Sequence, residues 1–233
     1  MRLDCTHIAG GFILADAALE PKSEWFEPGY WREQGVGKPI GRGRGQAVSA
    51  GEEECWVLRH YHRGGFPGRF IADTYFWRGK AATRPARELR LLAALYERDA
   101  PVARPVASRV LRAGLLYRGD ILTVRVNDAR TLGDCARELG AEEWRSVGEA
   151  ISRFHAAGGW HADLNAHNIL VAPAGIFIVD LDRGRLVSPG ASSQRRNLDR
   201  LERSLDKLGL LPEVKQGWQA LLAAYRPWPT SVQ

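Results

Sequence analysis

At 233 residues the chain is long enough to bury a substantial core, and with 45% hydrophobic and 26% charged residues it is not disordered as a whole. The net charge of +6 and a pI near 9.5 favour an anionic partner, such as a nucleotide, an acidic lipid or a nucleic acid. No apolar run approaches the roughly 18 residues of a membrane span, and the N-terminus does not read as a signal peptide. Three isolated cysteines without a CxxC pair are typical of a reducing compartment, so a cytoplasmic protein without a zinc site is expected.

The N-terminal region begins with two short apolar runs, residues 6–9 and 11–14, that have strand character. An aromatic cluster, residues 25–31, follows and is broken by Pro28-Gly29. We interpret this cluster as an apolar plug over the edge of the first sheet. A surface that faces a substrate or a membrane is the alternative.

Glycines alternate with arginines at Gly41, Gly43 and Gly45. Without a Cβ atom, backbone at these positions can approach a phosphate closely. A glycine-rich hairpin turn with two solvated arginines explains the pattern equally well. The next segment, residues 56–61, has strand character and contains Arg59.

Residues 63–84 form a long connection in which aromatic side chains are mixed with arginines. Connections of this length are usually functional or disordered. The mixture suits a membrane interface or a glycolipid, and simple packing of the aromatics on the neighbouring sheet is the alternative.

A helix is predicted from Pro85, whose missing N–H costs nothing at a first helical position. Its apolar stripe comprises Leu89, Leu92, Ala93 and Tyr96. Strands are predicted at 109–111, 115–118 and 121–126, with a turn at Arg118-Gly119-Asp120. From Leu132 onwards the pattern is helical. One helix carries Trp144, Val147, Gly148, Ile151, Phe154 and His155 on one face and ends at Gly158-Gly159, and a last helical region covers residues 198–225.

The most informative stretch lies between these helices, at residues 161–170, and is followed by an apolar strand that ends at Asp180. Asp163 is placed to accept a proton from a hydroxyl nucleophile. Asn168 and Asp180 offer the hard oxygen ligands that Mg²⁺ prefers when phosphate and water complete its coordination. His161 is predicted to brace the loop rather than to take part in the chemistry. The spacing therefore predicts phosphoryl transfer.

The order His-x-Asp-Leu-x-x-x-Asn followed by Asp resembles the catalytic loop and the metal-binding aspartate of the protein-kinase-like fold. Within that fold the chain is similar to the bacterial lipopolysaccharide-core kinases, most closely the 3-deoxy-D-manno-octulosonic acid (Kdo) kinases. The segments that carry the resemblance are Glu27–Trp31, Trp56–Gly65, Arg87–Leu92, His161–Leu170 and Asp180–Arg183.

The resemblance implies an α+β, protein-kinase-like fold with two lobes. Residues 1–126 form a nucleotide-binding lobe, with an antiparallel sheet and one helix, and residues 127–233 form a small, mostly helical catalytic lobe. In this arrangement Arg59 stands where such kinases usually carry a phosphate-binding lysine, and Glu88 is its expected ion-pair partner. Asp163 corresponds to the catalytic base, and Asn168 and Asp180 to the metal ligands. The glycines at 41, 43 and 45 would lie on the phosphates of ATP.

The implied activity is ATP- and Mg²⁺-dependent phosphorylation of the 4-hydroxyl of Kdo on a Kdo-lipid A precursor, at the cytoplasmic face of the inner membrane. The chain would bind that membrane surface peripherally. A heptose or aminoglycoside-type phosphotransferase of the same fold is the enzymatic alternative, and a non-catalytic pseudokinase is the alternative from another class. No helix-turn-helix, RNA-binding sheet motif or basic tail is recognised, so nucleic acid is not expected as a partner.

Overall fold

A computed structural model describes residues 1–40, 47–62, 73–190 and 192–226. The chain divides into two compact units, Met1–Ala93 with Arg104–Arg125 (unit 1) and Ala94–Ala103 with Val126–Gln233 (unit 2). The elements that begin in unit 1 are β1 (Leu3–Ile8), β2 (Gly11–Asp16), α1 (Pro28–Glu33), β3 (Pro39–Ile40), β4 (Ala47–Ala50), β5 (Trp56–His60), β6 (Tyr75–Phe76), α2 (Arg84–Tyr96), β7 (Pro105–Ala113) and β8 (Leu116–Val124).

Unit 1 is built on an antiparallel sheet with the strand order β1-β2-β7-β8-β5-β4-β3, and β6 pairs with β8 beside that path. Its central strands are buried on both faces, since consecutive residues of β2, Phe12 to Ala15, are all buried. Its core contains Ile13, Ala15, Phe26, Trp31, Ala50, Leu58, Val106, Ala107 and Leu122. Phe26 and Trp31 belong to this core, and the Trp31 Nε1 donates to the Trp25 carbonyl oxygen at 2.7 Å. The predicted aromatic plug is therefore confirmed.

The predicted turn at 118–120 is wrong, because β8 runs straight through these residues. The chain instead turns at Gly114, whose φ of 59° suits a residue without Cβ. Gly119 is a strand glycine, since a Cβ atom there would collide with the Pro85 ring. Asp120 is buried and accepts hydrogen bonds from Arg109 Nε at 3.0 Å and from His60 Nδ1 at 2.6 Å. Glycine and aspartate favour a turn when only their sequence neighbours are considered. Here their contacts with distant residues explain why they occur within a strand.

The predicted helix after Pro85 is confirmed as α2, which begins at Arg84. Leu89, Leu92 and Ala93 are buried as the stripe requires, whereas Tyr96 at the end of the helix is exposed. The Arg84 backbone N–H donates to the Tyr117 hydroxyl at 3.0 Å, which ties the start of the helix to β8.

Unit 2 is mostly helical, as the resemblance implies. Its elements are β9 (Arg130–Thr131), α3 (Leu132–Cys135), α4 (Ala141–Ala156), β10 (Gly159–Trp160), β11 (Ile169–Ala172), β12 (Gly175–Ile178), β13 (Arg185–Leu186), α5 (Ser192–Lys207) and α6 (Lys215–Ala224). The predicted apolar face of α4 is confirmed as buried, from Trp144 to His155. The predicted last helical region, residues 198–225, comprises two helices, α5 and α6, because the chain turns at Gly209 with a φ of 67°.

Two glycines let the helices of unit 2 approach closely. A Cβ atom at Gly148 of α4 would collide with the Leu221 carbonyl of α6, and one at Gly217 of α6 would collide with the Trp144 ring. This packing holds α6 on α4, and α4 leads directly to the loop that carries Asp163. None of the helices in the described ranges is both long and apolar enough to cross a membrane.

Candidate active site

Asp163 lies in the loop between β10 and β11, which ends in a 3-10 turn at Ala166–Asn168. Asn165 caps that turn, since its side-chain oxygen accepts a hydrogen bond from the His167 N–H at 2.9 Å. The Asn165 amide nitrogen also lies 3.2 Å from Asp163 Oδ2. The Asp163 side chain is half exposed, at 50%. A carboxylate is therefore held in a defined position and is still accessible to a hydroxyl group.

His161 is buried, and its ring contacts the backbone at Asp163 and at the residue before Asp180. Its Nδ1 accepts a hydrogen bond from the Asp163 N–H at 2.9 Å, and its Nε2 lies 3.0 Å from the Val179 carbonyl oxygen. A ring that accepts at Nδ1 and faces a carbonyl at Nε2 is neutral, with its proton on Nε2. The ring thus links the backbone of Asp163 to the residue before Asp180. These contacts are those of the predicted bracing role.

Asn168 and Asp180, the predicted metal ligands, lie at one backbone hydrogen bond. The Asn168 carbonyl oxygen accepts from the Val179 N–H at 3.0 Å, and Asp180 follows Val179 with a φ of 59°. Such a φ is uncommon for a residue other than glycine and is found at functional sites. The Asn168 amide nitrogen donates to the Asp163 carbonyl oxygen at 2.9 Å, so the amide oxygen is the atom left to face a cation.

The ligand chemistry of this pair fits Mg²⁺. Both side chains supply hard oxygen atoms, and Mg²⁺ needs only one or two protein ligands when phosphates and water complete the octahedron. Within the described ranges no group of three or more His, Cys, Asp or Glu residues is arranged to hold a metal. The oxygen pair is suited to an ion that arrives with phosphates.

Helix α5 carries a polar stripe that sequence reasoning missed. Its members lie three or four residues apart, and each contacts the chain in or just before the Asp163 loop. We call Gln194, Asn197, Arg200 and Ser204 the α5 polar stripe. Gln194 Nε2 donates to the Gly159 carbonyl oxygen at 3.1 Å, and Ser204 Oγ accepts from the Ala166 N–H at 3.1 Å. Polar residues at helical spacing beside Leu198, Leu201 and Leu205 were the available signal.

Asn197 is the central member of the α5 polar stripe. Its Oδ1 accepts from the His161 N–H at 3.1 Å, and its Nδ2 donates to the His161 carbonyl oxygen at 2.7 Å. The same Oδ1 lies 3.3 Å from His155 Nε2. Burial lowers the pKa of His155 to about 4, so this ring is neutral at physiological pH and suits an uncharged network. Both backbone polar groups of His161 are therefore satisfied by one side chain.

Arg200 places a positive charge beside Asp163, the candidate base. Its Nε lies 2.7 Å from Asp163 Oδ1, and the two side chains are 38% and 50% exposed. The Asp163 carboxylate therefore has a polar partner at each oxygen, Arg200 at Oδ1 and Asn165 at Oδ2.

In unit 1 the structure contains the ion pair between Arg59 and Glu88 that the family resemblance implies. Glu88 is buried on α2 and accepts from Arg59 Nη2 at one oxygen and from the Tyr61 hydroxyl at the other. The Arg59 guanidinium also lies 5.0 Å from the centre of the Tyr61 ring. The predicted phosphate-binding glycines Gly41, Gly43 and Gly45 lie outside the described residues.

Comparison with known proteins shows a close match over most of the sequence. A family model described as "Lipopolysaccharide kinase (Kdo/WaaP) family" matches residues 29–225. A protein of Stenotrophomonas maltophilia (strain K279a), named 3-deoxy-D-manno-octulosonic acid kinase, is 40% identical over 92% of this chain and 89% of its own length. Proteins of the same name from Xanthomonas campestris pv. campestris (strain B100) and Xylella fastidiosa (strain M12) are 43% and 40% identical. These matches cover 83% and 93% of this chain and 76% and 86% of the relatives.

One solved structure supports the fold independently of close sequence similarity. The chain described as "WaaP in complex with acyl carrier protein" superposes with a TM-score of 0.55 at 13% identity, and the match covers 97% of this chain and 90% of that one. The predicted fold class, an α+β fold with an N-terminal antiparallel sheet and a mostly helical C-terminal part, is confirmed.

Proposed function

Because this chain belongs to the lipopolysaccharide kinase (Kdo/WaaP) family, we propose that it transfers the γ-phosphoryl group of ATP to the 4-hydroxyl of Kdo on a Kdo-lipid A precursor. The family makes the chain a phosphotransferase, in agreement with the sequence prediction. The observation that carries the choice of acceptor is the name shared by relatives about 40% identical over most of the chain. The 4-hydroxyl is the position that the family resemblance implies.

The proposed chemistry in unit 2 assigns Asp163 as the proton acceptor. As the acceptor oxygen bonds to phosphorus, its proton moves to the Asp163 carboxylate, and the bond from phosphorus to the departing diphosphate breaks. Asn168 and Asp180 would hold Mg²⁺, which neutralises charge on the phosphates when it is bound. His161 and three members of the α5 polar stripe, Gln194, Asn197 and Ser204, contribute by holding the loop in place before substrate arrives.

In unit 1 we propose that Arg59 binds phosphate oxygens of ATP. Its pairing with Glu88, which is 3% exposed, fixes the direction of the guanidinium. A guanidinium can contact phosphate through two parallel N–H groups, which a lysine cannot do. Gly41, Gly43 and Gly45 are proposed as backbone contacts to the same phosphates, and residues 1–126 and 127–233 as the nucleotide-binding and catalytic lobes.

We propose that a surface of unit 1 binds the cytoplasmic face of the inner membrane peripherally. Phe76 and Leu115 are 65% and 75% exposed and lie side by side, since Phe76 pairs with Leu116 and the Trp77 N–H donates to the Leu115 carbonyl at 2.8 Å. Exposed basic residues accompany this apolar pair. The apolar-basic tip consists of Phe76, Arg78, Lys80, Arg112 and Leu115. Apolar side chains that insert and cations that face lipid phosphates are the combination that interfacial binding requires.

Replacing both Phe76 and Leu115 with Ser should weaken binding to vesicles that contain acidic lipid by about tenfold or more. Full burial of a large apolar side chain contributes about 1.5–3 kcal/mol, and partial insertion of two supplies at least that energy together. The measurement is co-sedimentation with vesicles that contain phosphatidylglycerol and with neutral phosphatidylcholine vesicles. The matched control replaces Leu208 and Leu222 of unit 2 with Ser in the same way; these side chains are 40% and 38% exposed. Equal binding by the two double variants would contradict the assignment of this surface.

The proposed activity is tested by incubating the purified chain with Mg²⁺ and labelled ATP in the presence of one acceptor at a time. The acceptors are Kdo-bearing lipid A precursor, a heptose-bearing core oligosaccharide and an aminoglycoside. We expect label on the Kdo-bearing acceptor. Label that appears only on heptose or on the antibiotic would show that the chain is a heptose or aminoglycoside-type phosphotransferase instead. No transfer to any acceptor would favour a non-catalytic pseudokinase.

A further inference from the structure

Arg200 has no part in the chemistry assigned to Asp163, although its Nε lies 2.7 Å from Asp163 Oδ1. An ion pair between two side chains that are 38% and 50% exposed contributes little to folding stability. A cation on the base also competes with the acceptor hydroxyl for the carboxylate. The contact is therefore better explained by binding of a ligand than by stability.

The hydrogen-bonding capacity of Arg200 is only partly used. A guanidinium has five N–H groups in a planar fork, and in the part of the chain that is described its one ion-pair contact is between Nε and Asp163. The terminal Nη groups are the ones that bind a carboxylate through two parallel hydrogen bonds. Arg200 can thus hold the base with one edge and an oxyanion with the other.

The backbone position of Arg200 is set by the attachment of α5 to the rest of unit 2. Gln194, Asn197 and Ser204 attach α5 to the chain around the Asp163 loop on either side of Arg200, with distances of 2.7–3.1 Å. Arg200 therefore stands on a rigid element that is fixed to the same loop as the base. Preorganisation of this kind lowers the entropy lost when a ligand is bound.

The oxyanion that meets this fork belongs to the acceptor rather than to ATP. In the described part of the chain Arg200 is ion-paired with Asp163, the residue that receives the acceptor hydroxyl. Kdo is a sugar acid, so its carboxylate can occupy the fork while a ring hydroxyl meets Asp163 Oδ2.

We propose that Arg200 is a specificity-determining residue that binds the carboxylate of the acceptor sugar acid and aligns its hydroxyl with Asp163. This inference rests on the proposed function for the identity of the acceptor. Oδ1 of Asp163 is held by Arg200, and the 3.2 Å contact of Oδ2 with Asn165 is the one that the acceptor hydroxyl replaces.

The test combines two forms of the acceptor with variants of one residue. Wild type, Arg200→Gln and Arg200→Lys are assayed with Kdo-bearing lipid A precursor and with its methyl ester, in which the carboxylate has no charge. With the free acid we expect Arg200→Gln to lower kcat/KM by about 10–100-fold, mainly through KM for the acceptor, with KM for ATP unchanged. Arg200→Lys should recover part of this loss because it keeps the charge. With the ester, wild type should already be impaired, and Arg200→Gln should cost at most about threefold more.

The control variant is Arg195→Gln, which makes the same charge change at an exposed position of α5. It should behave as wild type with both acceptors. If Arg200→Gln reduces kcat/KM by the same factor for acid and ester, Arg200 acts on Asp163 or on the transferred phosphoryl group, and the proposal is wrong.

Binding without turnover separates this proposal from the proposed function. The dissociation constants of free Kdo and of its methyl ester are measured by NMR titration with wild type and Arg200→Gln. We expect wild type to prefer the acid and Arg200→Gln to lose that preference. A preference that persists in the variant overturns the role of Arg200 even if Kdo is phosphorylated. A preference that is lost, without phosphorylation of Kdo, would leave the role of Arg200 intact and overturn only the proposed function.

Discussion

Replacing Asp163 with Asn should lower kcat by roughly 10²–10⁴-fold, the usual contribution of a positioned proton acceptor. Asparagine has almost the shape of aspartate, so the loop should keep the hydrogen bond between the residue 163 N–H and His161 Nδ1. An amide cannot take up the hydroxyl proton as the new bond to phosphorus forms. The loss should therefore appear in kcat, while KM for ATP changes by less than about threefold.

The measurement is steady-state kinetics of label transfer, together with thermal unfolding to verify that the fold is intact. Asp206→Asn removes the same charge from an exposed position on α5 and should retain full activity. If the Asp163→Asn enzyme kept more than a tenth of the wild-type kcat, Asp163 would not be the proton acceptor.

The second large effect is expected for Asn197→Ala, which should lower the free energy of unfolding by roughly 2–4 kcal/mol. The variant leaves the His161 N–H and carbonyl without their shared partner, and each buried polar group that loses its hydrogen bond costs about 1–3 kcal/mol. Activity should also fall in the fraction that remains folded, because His161 connects Asp163 to the residue before Asp180.

Denaturant titration followed by kinetics under native conditions separates these two effects. Ser204→Ala is the matched comparison on the same helix, since it removes one neutral hydrogen bond, to the Ala166 N–H, and should cost about 1 kcal/mol. An Asn197→Ala variant no less stable than Ser204→Ala would show that the α5 polar stripe does not anchor the loop through Asn197.

Much of the fold is predictable because its signals are local. The apolar stripes of α2 and α4 follow from residues three and four apart, and the strands at 6–9, 11–14 and 56–61 follow from short apolar runs. The Asp163, Asn168 and Asp180 spacing is equally local, so this group could be proposed from the chain alone. The Arg59–Glu88 pair required the family resemblance, because its members come from a strand and a helix 29 residues apart.

The parts that could not be predicted depend on contacts between distant segments. Gly119 and Asp120 predict a turn from the local sequence. Their place in a strand becomes clear only from their contacts with Pro85, Arg109 and His60. The α5 polar stripe was missed for the same reason, because its partners in the Asp163 loop lie more than 30 residues earlier in the chain. A polar residue on a helix reads as solvent-exposed unless its partner is known.

Phosphorylation of Kdo by this chain is tested most directly by the position of the new phosphate. The product formed from Kdo-lipid A precursor, ATP and Mg²⁺ is isolated and studied by two-dimensional ³¹P–¹H correlation NMR. We predict one new phosphomonoester signal that correlates with the proton at carbon 4 of Kdo. A new phosphate that correlates only with protons of the glucosamine backbone, or no new phosphomonoester on this acceptor, would contradict phosphorylation of Kdo by this chain.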